Sequence, residues 1–108
     1  MPLFGTLAAA SPNAGATTLL YTATEKVTVN INLCNTNNAT KAKVRLGITT
    51  QGAPAIFEYR EYDATLQPAG GEDNGNVIER TALPLGVGEK VFMYADVAGV
   101  GFQVYGVN

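Results

Sequence analysis

The run Lys26-Val27-Thr28-Val29-Asn30-Ile31-Asn32-Leu33-Cys34 decides how this chain is read. Val27, Val29, Ile31 and Leu33 share one side of an extended backbone; Thr28, Asn30, Asn32 and Cys34 share the other. A period of two with branched residues at the apolar positions is the pattern of a half-buried strand. Asn35-Thr36-Asn37-Asn38-Ala39-Thr40 follows as a turn cluster, because asparagine tolerates left-handed backbone and bonds its own main chain. Alternation resumes with Ala42, Val44, Leu46 and Ile48 set against Lys43, Arg45, Gly47 and Thr49. The two segments are expected to pair as an antiparallel hairpin.

Outward from this pair the chain stays short-period. Thr18-Leu19-Leu20-Tyr21-Thr22 is an apolar run with β-forming ends, and Gln51 to Ala55 is a loop. Phe57 to Tyr62 alternates as an exposed or edge strand. Asp63 to Asn76 contains Pro68, Gly70, Gly71 and Asn74-Gly75, which predicts a long connection of the kind that orders at interfaces. Val77 to Ala82 is a strand, Gly86-Val87-Gly88-Glu89 a tight turn, and Lys90 to Ala95 and Gly101 to Val107 the last two strands. No window has helical periodicity. The expectation is an all-β chain, an antiparallel β-sandwich of immunoglobulin-like or jelly-roll-like type spanning residues 18–108.

Residues 1–17 carry no charge and are rich in Ala, Gly and Pro. A secretory signal opens with basic residues, and the first here is Lys26. Pro2, Gly5 and Pro12 break any helix. The stretch therefore reads as an extended N-terminal arm that docks on a neighbour, with Leu3, Phe4 and Leu7 as its apolar contacts.

Composition narrows the function. The chain has 108 residues, 46% apolar and 15% charged, with a net charge of −2. Soluble domains usually carry about 25% charged residues, so the low value predicts a surface covered in use. Leu, Ile, Val and Phe total 27, enough for a core. No apolar run nears the ~18 residues that cross a bilayer, and no membrane partner is expected. Histidine is absent, Ser11 is the one serine and Cys34 the one cysteine. His-based catalysis, intrachain disulfides and Cys zinc clusters are thereby excluded. Neither enzyme activity nor a cofactor or metal is expected. An unpaired Cys34 on a polar strand side fits folding in a reducing compartment.

Several constellations have plain readings. Glu58, Glu61 and Asp63 resemble a glycosidase set, but strand spacing puts Glu58 and Glu61 on opposite faces. Arg60 would share a face with Glu58 and pair with it. Glu72-Asp73-Asn74-Gly75-Asn76 lacks the ligand spacing of a calcium loop. Gly86-Val87-Gly88-Glu89-Lys90 lacks the phosphate-loop pattern, and Asn38-Ala39-Thr40 is a glycosylation sequon by composition alone. Lys41, Lys43 and Arg45 form a basic stripe too small for nucleic acid in an acidic chain. The stripe is expected instead to meet the acidic Glu58, Glu61, Asp63, Glu72 and Asp73 region of a neighbouring subunit. Phe92 and Tyr94 oppose Val91 and Met93 on one strand, so both faces of that strand need cover.

A further likeness rests on Leu19-Leu20-Tyr21-Thr22, Lys26 to Asn35, Lys43-Val44-Arg45-Leu46 and Glu58-Tyr59-Arg60-Glu61-Tyr62-Asp63. Val77-Ile78-Glu79-Arg80-Thr81, Gly88-Glu89-Lys90-Val91-Phe92 and Val104-Tyr105-Gly106 complete it. Over residues 18–107 the chain resembles small β-sandwich virion proteins of tailed bacteriophages, above all head decoration (cement) proteins. The loop Gly70-Gly71-Glu72-Asp73-Asn74-Gly75 is longer than that pattern has. The resemblance implies a non-enzymatic capsid decoration protein in the virion, a trimer or other homo-oligomer on the major capsid protein. Tail, collar or fibre adaptors share the pattern. A carbohydrate-binding sandwich would need Tyr59, Tyr62 and Asp73 on exposed loops.

Overall fold

The computed structural model describes residues 4–69 and 75–107. Its strands are β1 (Phe4–Ala10), β2 (Thr18–Thr22), β3 (Val27–Asn35), β4 (Ala42–Thr49), β5 (Tyr59–Leu66), β6 (Val77–Leu85), β7 (Lys90–Ala95) and β8 (Val100–Val107). They form two antiparallel four-stranded sheets, ordered β1-β8-β3-β6 and β2-β7-β4-β5. This is a β-sandwich, and its strand orders are those of the jelly roll.

The alternation in β3 and β4 is as the sequence predicts, but the two strands do not pair. β3 lies between β8 and β6, and β4 between β7 and β5. Residues 36–41 carry the chain from one sheet to the other. Each strand thus turns its apolar side into the shared core from opposite layers, where a hairpin would have left both in one layer. Val27, Val29, Ile31 and Leu33 are buried from one side and Val44, Leu46 and Ile48 from the other. Val91, Met93, Val100, Phe102 and Val104 complete the centre.

Two boundaries differ from expectation. Ile56–Glu58 is a single 3₁₀ turn, so β5 begins at Tyr59 and runs on through Asp63 to Leu66. The Glu58 carboxylate accepts the Ala55 N–H at 2.9 Å, which holds it to its own turn and away from Arg60. At the N-terminus, residues 4–10 of the expected arm are extended but belong to the sandwich. They pair with β8 from Phe4↔Val107 to Ala10↔Phe102. Leu7 and Ala8 pack against the core, and that burial ties the stretch to its own chain.

The inner ladders, β3 with β8 and β4 with β7, keep unbroken register. Each pairing of an edge strand with its inner neighbour shifts register. These are β-bulges, which bend and twist an edge. Two glycines permit close approaches. A Cβ on Gly106 would stand 2.4 Å from the Thr28 carbonyl oxygen, and one on Gly47 would stand 2.6 Å from Pro54 Cγ. Pro54 thereby lies on the outer side of β4, beside Phe92, which pairs with Gly47 and is buried although it points away from the core.

Candidate functional site

The outer face of the β2-β7-β4-β5 sheet gathers the chain's most concentrated side-chain chemistry. Arg45 on β4 stands opposite Tyr94 on β7. On its other side β5 offers two residues where one is regular, since Val44 pairs with Ala64 and Leu46 with Glu61. The extra residue lets Tyr62 and Asp63 both turn outward. Asp63 adopts φ 53°, a left-handed conformation that aspartate tolerates better than most residues. Arg45 Nε donates to Asp63 Oδ1 at 2.6 Å. The guanidinium carbon lies 4.2 Å from the Tyr62 ring centroid and 4.4 Å from that of Tyr94, both within cation–π range. Tyr59 meets Tyr62 edge to face at 5.1 Å.

The electrostatics follow from that contact. The hydrogen bond from Arg45 holds the Asp63 carboxyl below the usual carboxylate range, with the charges of Arg45 and Lys43 adding to it. The same bond raises the Arg45 guanidinium above its ordinary value. Asp63 is therefore an ionised acceptor already in use. It lacks the raised pKa that would suit a general acid.

The expected site residues separate into groups. Lys43 and Arg45 share the outer face of β4; Lys43 is exposed, while its N–H donates to Asp96 Oδ1 at 2.8 Å. Arg45 finds its acidic partner within its own chain. Glu61 faces the open edge between the sheets, where it pairs with Arg80 of β6. Arg80 also donates to the Arg60 carbonyl at 3.2 Å. Glu58 caps its own turn. Leu7 packs inward, and Phe4 belongs to β1. Leu3, Glu72 and Asp73 lie outside the described residues. Of the groups expected to meet across subunits, Arg45 and Glu61 each hold an ion-pair partner in the same molecule, Asp63 and Arg80.

Sequence reasoning missed three things. Tyr94 and Tyr62 serve Arg45 rather than the core, a fact that depends on the β4–β7 register and on the bulge. Asn35 is a buried hub: its Nδ2 lies within bonding distance of the carbonyls of Thr40, Leu66 and Gln67. Its Oδ1 accepts from the Asn37 N–H and Nδ2, and Asn37 Nδ2 also lies 2.8 Å from the Ala98 carbonyl, so that the pair ties three connections at one end of the sandwich. Asn30 Oδ1 accepts the Ala82 N–H at 2.9 Å, bracing the bulge in β6.

The outer face of the other sheet is different. Thr28, Asn30, Asn32 and Cys34 of β3 lie beside Tyr105, Gln103 and Gly101 of β8. Within the described strands of this face the one outward charged side chain is Glu79, whose Oε1 accepts from Asn32 Nδ2 at 3.3 Å, and Lys26 and Glu89 stand at its rim beside Thr28, Pro84 and Val107. A shallow groove of about 260 Å³ runs over Ala9, Asn32, Cys34 and Gly101. A larger cleft of about 580 Å³ lies at the strand ends, among Lys26, Thr28, Pro84, Leu85, Glu89 and Val107. Among the described residues no group of three or more His, Cys, Asp or Glu side chains could hold a metal ion, and no helix is long and apolar enough to cross a membrane. Comparison with known protein families, curated proteins and solved structures returns no match.

Proposed function

We propose that this chain is a non-enzymatic structural protein of a tailed-bacteriophage virion, a head decoration protein that binds and stabilises the shell of major capsid protein. The resemblance of residues 18–107 to such proteins motivates the reading. The observation that carries it on physical grounds is the outer face of β1-β8-β3-β6, broad and nearly free of charge. Interface cores are depleted of charged side chains, and a sheet face of amides and hydroxyls pairs with backbone and polar groups without burying an ion. The eight-stranded jelly roll supplies a rigid plate for that face, and jelly rolls recur among viral capsid domains. Fold alone does not assign function; the support comes from the face.

As a mechanism, each copy lays this face across capsid subunits. A specific contact buries about 1,600 Å², and repetition over a shell multiplies the effect of each weak contact through avidity. The shell then resists internal pressure by added contacts, without chemistry. The carbohydrate reading has less support: Tyr59 and Tyr62 lie in strand β5 rather than on loops, and the Tyr62 ring, which would stack on a sugar, is engaged by Arg45 and by the edge of Tyr59.

Antibody-gold labelling of intact virions tests the proposal. Gold spread over the head is expected, at hundreds of copies per particle. Gold confined to the tail or to one vertex would replace decoration by the adaptor reading, and a virion with no label on or in it after disruption would end both.

A further inference from the structure

The two flanks of the sandwich, where the sheets end, differ in charge. β5 and β6 carry Arg60, Glu61, Asp63, Glu79 and Arg80. On the opposite flank β1, the 11–17 connection and β2 carry none; the first charged residue of the chain is Glu25. An edge strand presents unpaired N–H and C=O groups, and natural sheets guard them with charges, proline or protruding bulges. β5 and β6 have these guards, Pro84 among them. β1 has a bulge alone, and that bulge turns Leu7 and Ala8 together toward the core. Ala8-Ala9-Ala10 is left in regular register with β8. From Thr6 to Ala10 its outer side is small, with Thr6 and Ala9 exposed.

We infer that β1 is the strand through which two copies of this chain join, edge to edge and antiparallel about a two-fold axis, extending the β1-β8-β3-β6 sheet from four strands to eight. The occupant is a second copy because the strand is complementary to itself. No like charges face one another when β1 meets β1, and the short side chains of Ala8, Ala9 and Ala10 leave no obstacle between the backbones. A two-fold contact closes at two. The guarded β5/β6 flanks then point outward on both sides and stop further growth. This inference deepens the virion reading by naming the unit that would bind the shell, and it narrows the expected trimer or other homo-oligomer to a dimer.

Sedimentation of the full chain over a range of concentrations tests it, beside Thr6→Lys/Ala9→Lys and a control, Thr65→Lys/Thr81→Lys, on the other flank. Wild type and control are expected to be dimers. The β1 variant should dissociate about tenfold more readily at low salt, because lysines are brought together across the new ladder. Its fold is checked by circular dichroism. Should that variant not fold, hydrogen exchange on the wild type decides: the Ala8–Ala10 amides should gain protection as concentration rises. A monomeric wild type, a trimer, a dimer indifferent to the β1 lysines, or protection that does not change with concentration would overturn the inference. A monomer that still coats empty heads would defeat the pairing and leave the decoration reading intact; a dimer that binds no virion part would do the reverse.

Discussion

β5 and β6 carry the same backbone irregularity and hold it by different chemistry. Each bulges against an inner strand, and each places a non-glycine residue in the left-handed region, Asp63 at φ 53° and Ala82 at φ 56°. In β5 the brace is ionic: Arg45 reaches from β4 to the side chain of the strained residue and rests on two tyrosine rings. In β6 the brace is neutral: Asn30 reaches from β3 to the N–H of the strained residue. The difference follows the faces they serve. The β5 bulge sits among Lys43 and aromatic rings, where a charged group has partners. The β6 bulge borders a face with almost no charge, where an amide meets the need without bringing an ion. One geometric problem therefore gives one brace that responds to pH and salt and one that does not.

The largest effect should come from removing Ala82's tolerance. Ala82→Val puts a branched side chain at positive φ and is expected to cost about 2 kcal/mol, read as a lower urea midpoint at unchanged slope. Arg45→Ala removes two ring contacts and the ion pair together. It should cost about 1.5 kcal/mol, of which the exposed pair supplies the smaller share. Arg45→Lys should recover only part of that, because an ammonium cannot lie flat on a ring. Asn30→Ala leaves the Ala82 N–H to water and should cost about 1 kcal/mol, with the same loss at low and high salt. That salt indifference is the contrast with Arg45.

Acid titration sharpens the comparison with the smallest effect. The Asp63 carboxyl is lowered by Arg45, so on acidification the unfolded chain takes up its proton first. Its contribution is intact above the ordinary carboxylate value, about pH 4, and is lost as pH falls through the lower folded value. Asp63→Asn should therefore lose less stability than wild type between pH 4 and strong acid. Should wild type and Asp63→Asn fall in parallel, the ionic brace would be ornamental. The Asn30 brace, having no titrating group, should leave no trace in this window.

How much of this was legible in the sequence depends on which physical link is asked for. Strict alternation in Val27–Leu33 and Ala42–Ile48 shows which side of each strand is buried, since burial acts residue by residue. It does not show which strand lies alongside: the same apolar sides serve a hairpin or two facing layers, and the 36–41 connection permits either. Bulges were hidden for a related reason. Tyr62-Asp63 and Thr81-Ala82 break the period, and a period-two reading ends the strand where they occur, which cuts β5 short at Tyr62 and β6 at Ala82. Arg45 was legible as outward and basic, but its partners depend on β4–β5 and β4–β7 register, which no local pattern carries. Asn35 looked like one turn asparagine among several, and its three carbonyl partners come from segments up to 32 residues away.

The pairing of Phe4 with Val107 sets the two ends of the described chain side by side on neighbouring, opposed strands. Tension applied to both ends would meet the β1–β8 ladder at its tip and open it one residue pair at a time. A load spread over the faces would be borne by all the ladders at once. As a material the sandwich is therefore anisotropic, yielding like a zipper when drawn from its ends and stiff as a tile when pressed.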